Sequence, residues 1–196
     1  DSITSHYYPH AATALKGLVN LFSMPPHSDW DSSNFIRHMA ELKAPIAREA
    51  EVKWDVIHFN FGLHDMKRYN AAGKKDREHG TMQVDYGSYA KNLEASIRWL
   101  QANAAEAQLI FATTTPVPEG EPRRRSEDCI KLNEIARSVI ANFPSVLIND
   151  LYAFTLPHHS GWKRDSHDVH YNETGKEAQG EKVAAAILQA LENRKK

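Results

Sequence analysis

Three short stretches of this chain carry residue types that could do chemistry together: "DSIT" (1–4), "FGLHD" (61–65) and "DVHY" (168–171). A serine hydroxyl is a poor nucleophile until a neighbouring base takes its proton. His170 is of the right type for that base, because an unperturbed imidazole titrates near ~6.5. A carboxylate behind the imidazole would fix its tautomer and stabilise the imidazolium formed on attack, and Asp168 is the first choice for that role. Taken alone, Ser2 reads as a solvated hydroxyl and Asp168-x-His170 as a local hydrogen bond. The three stretches gain meaning together, each falling just after a predicted strand or in the last loop. No Gly-x-Ser-x-Gly elbow occurs anywhere in the chain, which argues against an α/β-hydrolase.

The remaining polar clusters have plainer readings. His158, His159, His167 and His170 share one loop with Asp165 and Asp168, a ligand set that could hold zinc or another transition metal. No His-Glu-x-x-His or paired-Cys spacing supports that, so neither metal nor cofactor is expected. His6 and His10 follow Ser2 by four and eight residues, on one face if that segment is helical; they could line a pocket mouth, though a solvated face is the simpler reading. His58 lies inside a predicted strand as a core group. Arg123, Arg124 and Arg125 could meet an anionic substrate, but read more simply as a solvated charge run.

These residues need elements to hold them, and the order of segments alternates strand and helix. "GLVNLFSM" (17–24) reads as a strand ended by Pro25-Pro26. "SSNFIRHMAELKAPIAREA" (32–50) reads as a helix behind a Ser cap, with Phe35, Ile36, Met39 and Leu42 on one face and a bend at Pro45. "WDVIHFNFG" (54–62) reads as a buried strand, followed by a polar excursion over 64–84 without periodicity. Asp85 caps a helix striped by Tyr89, Leu93, Ile97 and Leu100. "AQLIFATTTPV" (107–117) and "SVLINDLY" (145–152) are strands on either side of a helix over 127–141 capped by Ser126. A long loop over 157–173 precedes a closing helix from Thr174 to Asn193. The pattern predicts one α/β domain over 1–196: a three-layer α/β/α sandwich with a flavodoxin-like, mainly parallel sheet of about five strands. In such sheets ligands bind beyond the carboxyl ends of the strands.

Composition narrows the class of function. With 24 Lys+Arg against 25 Asp+Glu, a net charge of -1 excludes a general basic surface for nucleic acid. No apolar run approaches the ~20 residues of a membrane span. The single cysteine, Cys129, excludes an internal disulfide. No targeting segment stands in the sequence, and a secreted or periplasmic chain with its signal removed would look the same.

On the quoted motifs the chain resembles the SGNH hydrolases, the GDSL-like lipase/acylhydrolase superfamily. Asp1-Ser2 matches the end of that family's Gly-Asp-Ser block. Gly62-Leu63-His64-Asp65 stands where the family has Gly-x-Asn-Asp, and "DVHYNETG" where it places Asp and His before the last helix. "HFNFGLHD", "TTTPVPEGE" and "DVHY" look especially like a bacterial subgroup. The resemblance runs from residue 1 to the final helix and implies a cofactor-free serine esterase with Ser2, Asp168 and His170 as catalytic residues. It also implies an oxyanion hole that includes Ser2 and His64. His64 replaces the family's Asn, and an imidazole N–H can donate to the oxyanion as an amide does. Two further departures follow. The family's Asp-x-x-His spacing is Asp-x-His here, with Asp165 as the alternative acid. The family's second-block glycine is not evident in "PPHSDWDSSNF" (25–35), where a backbone N–H near Asp31 or Ser32 could complete the hole. The family's central first strand, which precedes Gly-Asp-Ser, is expected in the natural protein ahead of Asp1 or supplied by another chain.

The expected substrate is a small-molecule or carbohydrate ester. The loops offer no apolar lid, which favours a short acyl group, such as acetyl, on a polar carrier such as a sugar. The alternatives are a lipase- or thioesterase-type acylhydrolase and a non-catalytic carbohydrate-binding relative that kept the fold.

Overall fold

The computed structural model describes residues 1–23, 30–40 and 53–194. Its first element is a helix, α1 (Ser2–Ala14), started by the Asp1 carboxylate accepting from Thr4 N–H at 3.1 Å. Ile3, Tyr7 and Ala11 recur at fourfold spacing and form its buried face. α2 (Ser32–Arg37) is opened by a capping box in which Asp31 and Asn34 satisfy each other's backbone donors, so Asp31 rather than a serine is the cap. The strand β1 (Val56–Phe59) comes next, then a two-stranded antiparallel hairpin of β2 (Arg68–Tyr69) and β3 (Thr81–Met82). α3 (Tyr86–Asn103) is capped by Asp85 and buries Tyr89, Leu93, Ile97 and Leu100, as the sequence stripe predicts. β4 (Gln108–Ala112), α4 (Ser126–Ile140), β5 (Leu147–Asn149), the short helices α5 (Leu151–Thr155) and α6 (His159–Trp162), and α7 (Glu173–Asn193) complete the order.

β1, β4 and β5 form a parallel sheet in that order, with Val56 opposite Gln108 and Ile110 opposite Leu147. β4 is central, and Leu109 to Ala112 are buried there. Helices flank the sheet in two groups: α1 packs along α7, which reaches β1 and β4, while α3 packs with both α2 and α4. One hydrophobic core links the groups through Tyr7, Leu63, Tyr89, Phe111, Leu132 and Ile187.

The alternating α/β architecture with a parallel sheet agrees with the sequence reading, but several details differ. Three strands rather than about five make up the parallel sheet among the described residues. Residues 17–23 are not a strand; they leave the end of α1 as a turn and irregular chain, from which Val19 and Leu21 pack against the core and Phe22 meets Trp54 edge-on at 5.6 Å. Met24 lies outside the described residues, as do Leu42 and the bend expected at Pro45. α4 begins at Ser126 itself, with Arg125 at the cap position. The excursion over 64–84 contains the hairpin, whose two-residue strands are too short to leave a periodic signal. The 157–173 loop opens with a 3-10 turn (Leu156–His158) and α6. Among the described residues no helix is long and apolar enough to cross a membrane.

Candidate active site

The site forms where the start of α1 meets the end of β1. Asn60, one residue past β1, holds both: its amide nitrogen donates to Asp1 Oδ2 at 2.9 Å, and its oxygen accepts from Thr4 Oγ1 at 3.0 Å. Ser2, between these two anchors, is thereby fixed at the carboxyl end of the sheet. As the first residue of α1 its backbone N–H has no intrahelical acceptor, and the positive end of the helix dipole lies there.

His170 arrives from the other end of the chain. Its Nε2 lies 2.9 Å from Ser2 Oγ across 168 residues of sequence, and its Nδ1 lies 2.5 Å from Asp168 Oδ1. The same carboxylate oxygen accepts from His170 backbone N–H at 3.2 Å. This i to i+2 bond is an Asx-type turn, and it explains why two-residue spacing suffices: the turn folds the carboxylate back onto its own imidazole. Burial alone would raise the Asp168 pKa, but hydrogen bonds from the His170 ring and backbone outweigh it, and Arg164 adds to them, so the carboxyl is held below its usual range. Asp165, the alternative acid, is instead exposed and pairs with His167 at 3.1 Å.

α1 and α7 bring Ser2 and His170 into register. At Gly180 of α7, an added Cβ would lie 2.6 Å from His10 Cβ and 2.8 Å from both Tyr7 O and Ala11 N. The helices touch backbone to backbone because residue 180 has no side chain. His6, one turn after Ser2, lays its ring 4.8 Å from the His170 ring, and His10 pairs with Glu173 at 3.0 Å. The two histidines do share the α1 face that meets α7 and the His170 loop.

The turn after β1 carries the third stretch. Gly62 has φ +136°, and a Cβ there would fall 2.1 Å from Thr114 Oγ1, so both conformation and space require glycine. Met66 N donates to Gly62 O at 3.1 Å and closes the turn. Asp65 points inward and accepts from Gly62 N–H at 2.9 Å and Ser32 N–H at 3.0 Å; burial raises its pKa to about 6. Those bonds decide one sequence expectation against us. Ser32 N–H is committed to Asp65, and Asp31 N–H to Asn34 Oδ1 at 3.0 Å, so neither is free to serve an oxyanion. Residues 25–29 of the same stretch lie outside the described part.

His64 is buried on this turn, with Lys67 Nζ 2.7 Å from its Nδ1. Burial, followed by the charges of Lys67 and Arg124, pushes its pKa down to about 3, so the ring is neutral. Arg124 is itself only 2% exposed; it donates to Leu63 O at 2.6 Å and to Glu121 Oε1 at 2.7 Å. The arginine run is therefore not a solvated patch. Arg124 clamps the His64 turn, Arg123 closes on Glu121, and Arg125 donates to the carbonyls of Arg77 and Glu78. His58 is half-buried beside Asn149, its pKa lowered to about 4 by burial, in keeping with a core role.

The histidine loop does not gather into a ligand set. His158 stacks on Trp162, His159 packs by Tyr171, His167 turns to Asp165 and His170 to Ser2. Among the described residues no three His, Cys, Asp or Glu side chains are grouped to hold a metal ion. Asn60, Lys67, Glu121, Arg124 and Gly180 were not singled out individually by sequence reasoning. "FGLHDMK" places a lysine one turn from His64, a signal that could have been followed. Asn60, Arg124 and Gly180 act through contacts remote in sequence, and Glu121 acts through Arg123 and Arg124 close beside it.

Residues 1–178 match the family described as GDSL-like Lipase/Acylhydrolase. No curated protein matches the chain. Among solved structures it is similar to the acetyl xylan esterase AlAXEase, with 19% identity, a TM-score of 0.70 and coverage of 95% of this chain and 96% of that one. A lipase/acylhydrolase from Enterococcus faecalis aligns with 17% identity and a TM-score of 0.60 over 81% and 71% of the two chains. A carbohydrate esterase family 3 protein from Talaromyces cellulolyticus aligns with 13% identity and a TM-score of 0.59 over 98% and 90%. At these identities the likeness is one of fold.

Proposed function

Because the chain belongs to the GDSL-like lipase/acylhydrolase family, a family of ester hydrolases, we propose that one domain spanning the chain hydrolyses carboxylic esters through an acyl intermediate on Ser2. The observation that carries this reading is the continuous chain from Ser2 Oγ through His170 to Asp168, at 2.9 and 2.5 Å. His170 Nε2 takes the Ser2 proton as Oγ attacks the ester carbonyl, and Asp168 holds the tautomer that leaves Nε2 able to accept. The tetrahedral oxyanion is met by Ser2 N–H at the α1 N-terminus and by the N–H of His64. Collapse expels the alcohol with the proton returned by His170. Water then repeats the sequence on the acyl-serine, with His170 again as base.

The proposed substrate is a short acyl group, acetyl above all, on a carbohydrate or similar polar carrier. The polar sequence of the 157–173 loop that carries Asp168 and His170 supports this, as does the fold shared with an acetyl xylan esterase and a carbohydrate esterase.

The test is steady-state hydrolysis of a short-chain nitrophenyl ester by wild type, Ser2→Ala and His64→Ala, with acyl-enzyme trapping followed by mass spectrometry. Ser2→Ala should abolish both turnover and the trapped adduct. His64→Ala should lower kcat by about 10²–10³ with little change in KM, since an oxyanion contact acts in the transition state. An adduct that survives in Ser2→Ala, or a folded Ser2→Ala protein with wild-type turnover, refutes the serine mechanism. Near-normal kcat in folded His64→Ala removes His64 from it.

A further inference from the structure

An oxyanion donor on an imidazole raises a question that an asparagine does not: which ring nitrogen carries the proton. A neutral imidazole has one N–H and one acceptor nitrogen, and only the first can face an oxyanion. Lys67 Nζ sits 2.7 Å from His64 Nδ1, inside the protein. An ammonium offers three donors and no acceptor, so a nitrogen it binds must be the unprotonated one. The proton of a neutral His64 is then on Nε2, at the far side of the ring.

We propose that Lys67 is a positioning residue for the esterase reaction: by donating to Nδ1 it holds His64 in the Nε2–H tautomer, the form able to present a donor to the oxyanion. The inference rests on the reading of His64 as an oxyanion donor. The local fold makes the contact hard to lose. Lys67 N–H also donates to His64 O at 3.3 Å, and Lys67 O accepts from Gln83 N–H at 2.7 Å, so the lysine backbone is tied at both ends. Leu63 O, on the residue before the ring, is pinned by Arg124. The groups around the ring act in the same sense. Lys67, Arg124 and Arg123 bear positive charge, and burial disfavours a second ring proton. The neighbouring carboxylate, Asp65, is turned to Gly62 and Ser32. Lys67 therefore acts through His64, and its expected signature is a change of tautomer that a packing role would not produce.

The experiment is ¹⁵N NMR of histidine-labelled protein, together with kcat and KM on a short-chain nitrophenyl ester. It uses wild type, Lys67→Met, Lys67→Arg, and Lys67→Met in a His64→Asn background. Wild type should show His64 with an unprotonated Nδ1 and a protonated Nε2 across neutral pH. Lys67→Met keeps the stem but not the donor; its His64 nitrogens should move toward tautomer exchange. Its kcat should fall by at least about twofold and by no more than the roughly 10²–10³ cost of deleting the donor. Lys67→Arg, which can still donate, should restore the Nε2–H pattern, and it reports on the contact if the methionine variant does not fold. In the His64→Asn background Lys67→Met should not lower kcat further. A protonated Nδ1 in wild type, or an unchanged tautomer in folded Lys67→Met, overturns the inference. Loss of the tautomer in Lys67→Met with kcat untouched supports the role of Lys67 in setting it and instead refutes the oxyanion role of His64.

Discussion

Gly180 should control activity from within α7, although it touches none of the reacting side chains. Replacing it by alanine would ordinarily stabilise a helix by about 0.5–1 kcal/mol, because glycine loses more backbone entropy on folding. Here the new Cβ would sit 2.6 Å from His10 Cβ and 2.8 Å from two backbone atoms of α1, Tyr7 O and Ala11 N. Ordinary carbon contacts lie near ~3.5–4.0 Å, so α1 and α7 must separate by several tenths of an ångström to roughly 1 Å. Two of the three contacts are backbone, which cannot swing aside as a side chain does. Overpacking of this kind costs about 1–3 kcal/mol and outweighs the propensity gain, so Gly180→Ala should lower stability by about 1–2 kcal/mol net. The functional effect is larger. Ser2 rides on α1 and His170 sits three residues before α7, so separating the helices lengthens the 2.9 Å contact on which deprotonation depends. A misplacement near 1 Å can cost on the order of 10²-fold in rate. The assay is kcat on a short-chain nitrophenyl ester with the melting temperature of the same preparation, and Gly161→Ala, where a Cβ meets nothing within 4 Å, as the control. Gly180→Ala with wild-type kcat and unchanged or raised Tm would refute the argument that this contact sets the Ser2–His170 distance.

Asp168→Asn should lower kcat by on the order of 10⁴, the effect of leaving a triad imidazole in the wrong tautomer, while Asp165→Asn should stay near wild type; equal losses in the two would reopen the assignment of the acid. Stability should fall on acidification below about pH 6.5. His58 and His64, lowered to about 4 and about 3, stabilise the fold fully above their unfolded pKa near ~6.5 and lose that contribution as pH drops. Asp65, raised to about 6, acts in the opposite sense, since its contribution is lost as pH rises through 6. These two histidines against this one carboxyl contribute a loss of about 2–4 kcal/mol between pH 6.5 and 4, and the lowered His6 and His159 act in the same sense. Urea unfolding measures it, and a flat or rising stability over that range would contradict it. EDTA should leave ester turnover unchanged, and loss restored by zinc would point to a metal.

What the sequence by itself determined is what neighbouring residues encode. The stripe from Tyr89 to Leu100 and the Asp85 cap foretold α3, and alternating strand and helix patterns foretold a parallel sheet. Ser2, His64, Asp168 and His170 could be chosen because their residue types and motif context are visible in a line of text. The boundaries were less legible, since an apolar run such as 17–23 satisfies a strand pattern yet follows a helix as turn and irregular chain, with Phe22 against Trp54. Tertiary structure alone decided how the site residues meet. Asp168 rather than Asp165 faces His170 because an Asx turn bends the loop back on itself. Asp31 and Ser32 N–H groups are spent on Asn34 and Asp65, and Arg124, in an arginine run that reads as surface, is the buried clamp of the His64 turn. The physical reason is one of range. Periodicity and caps act over a few residues, whereas desolvation, a shared proton and a backbone contact such as Gly180 against Tyr7 join positions up to 168–173 residues apart, and no local pattern records them.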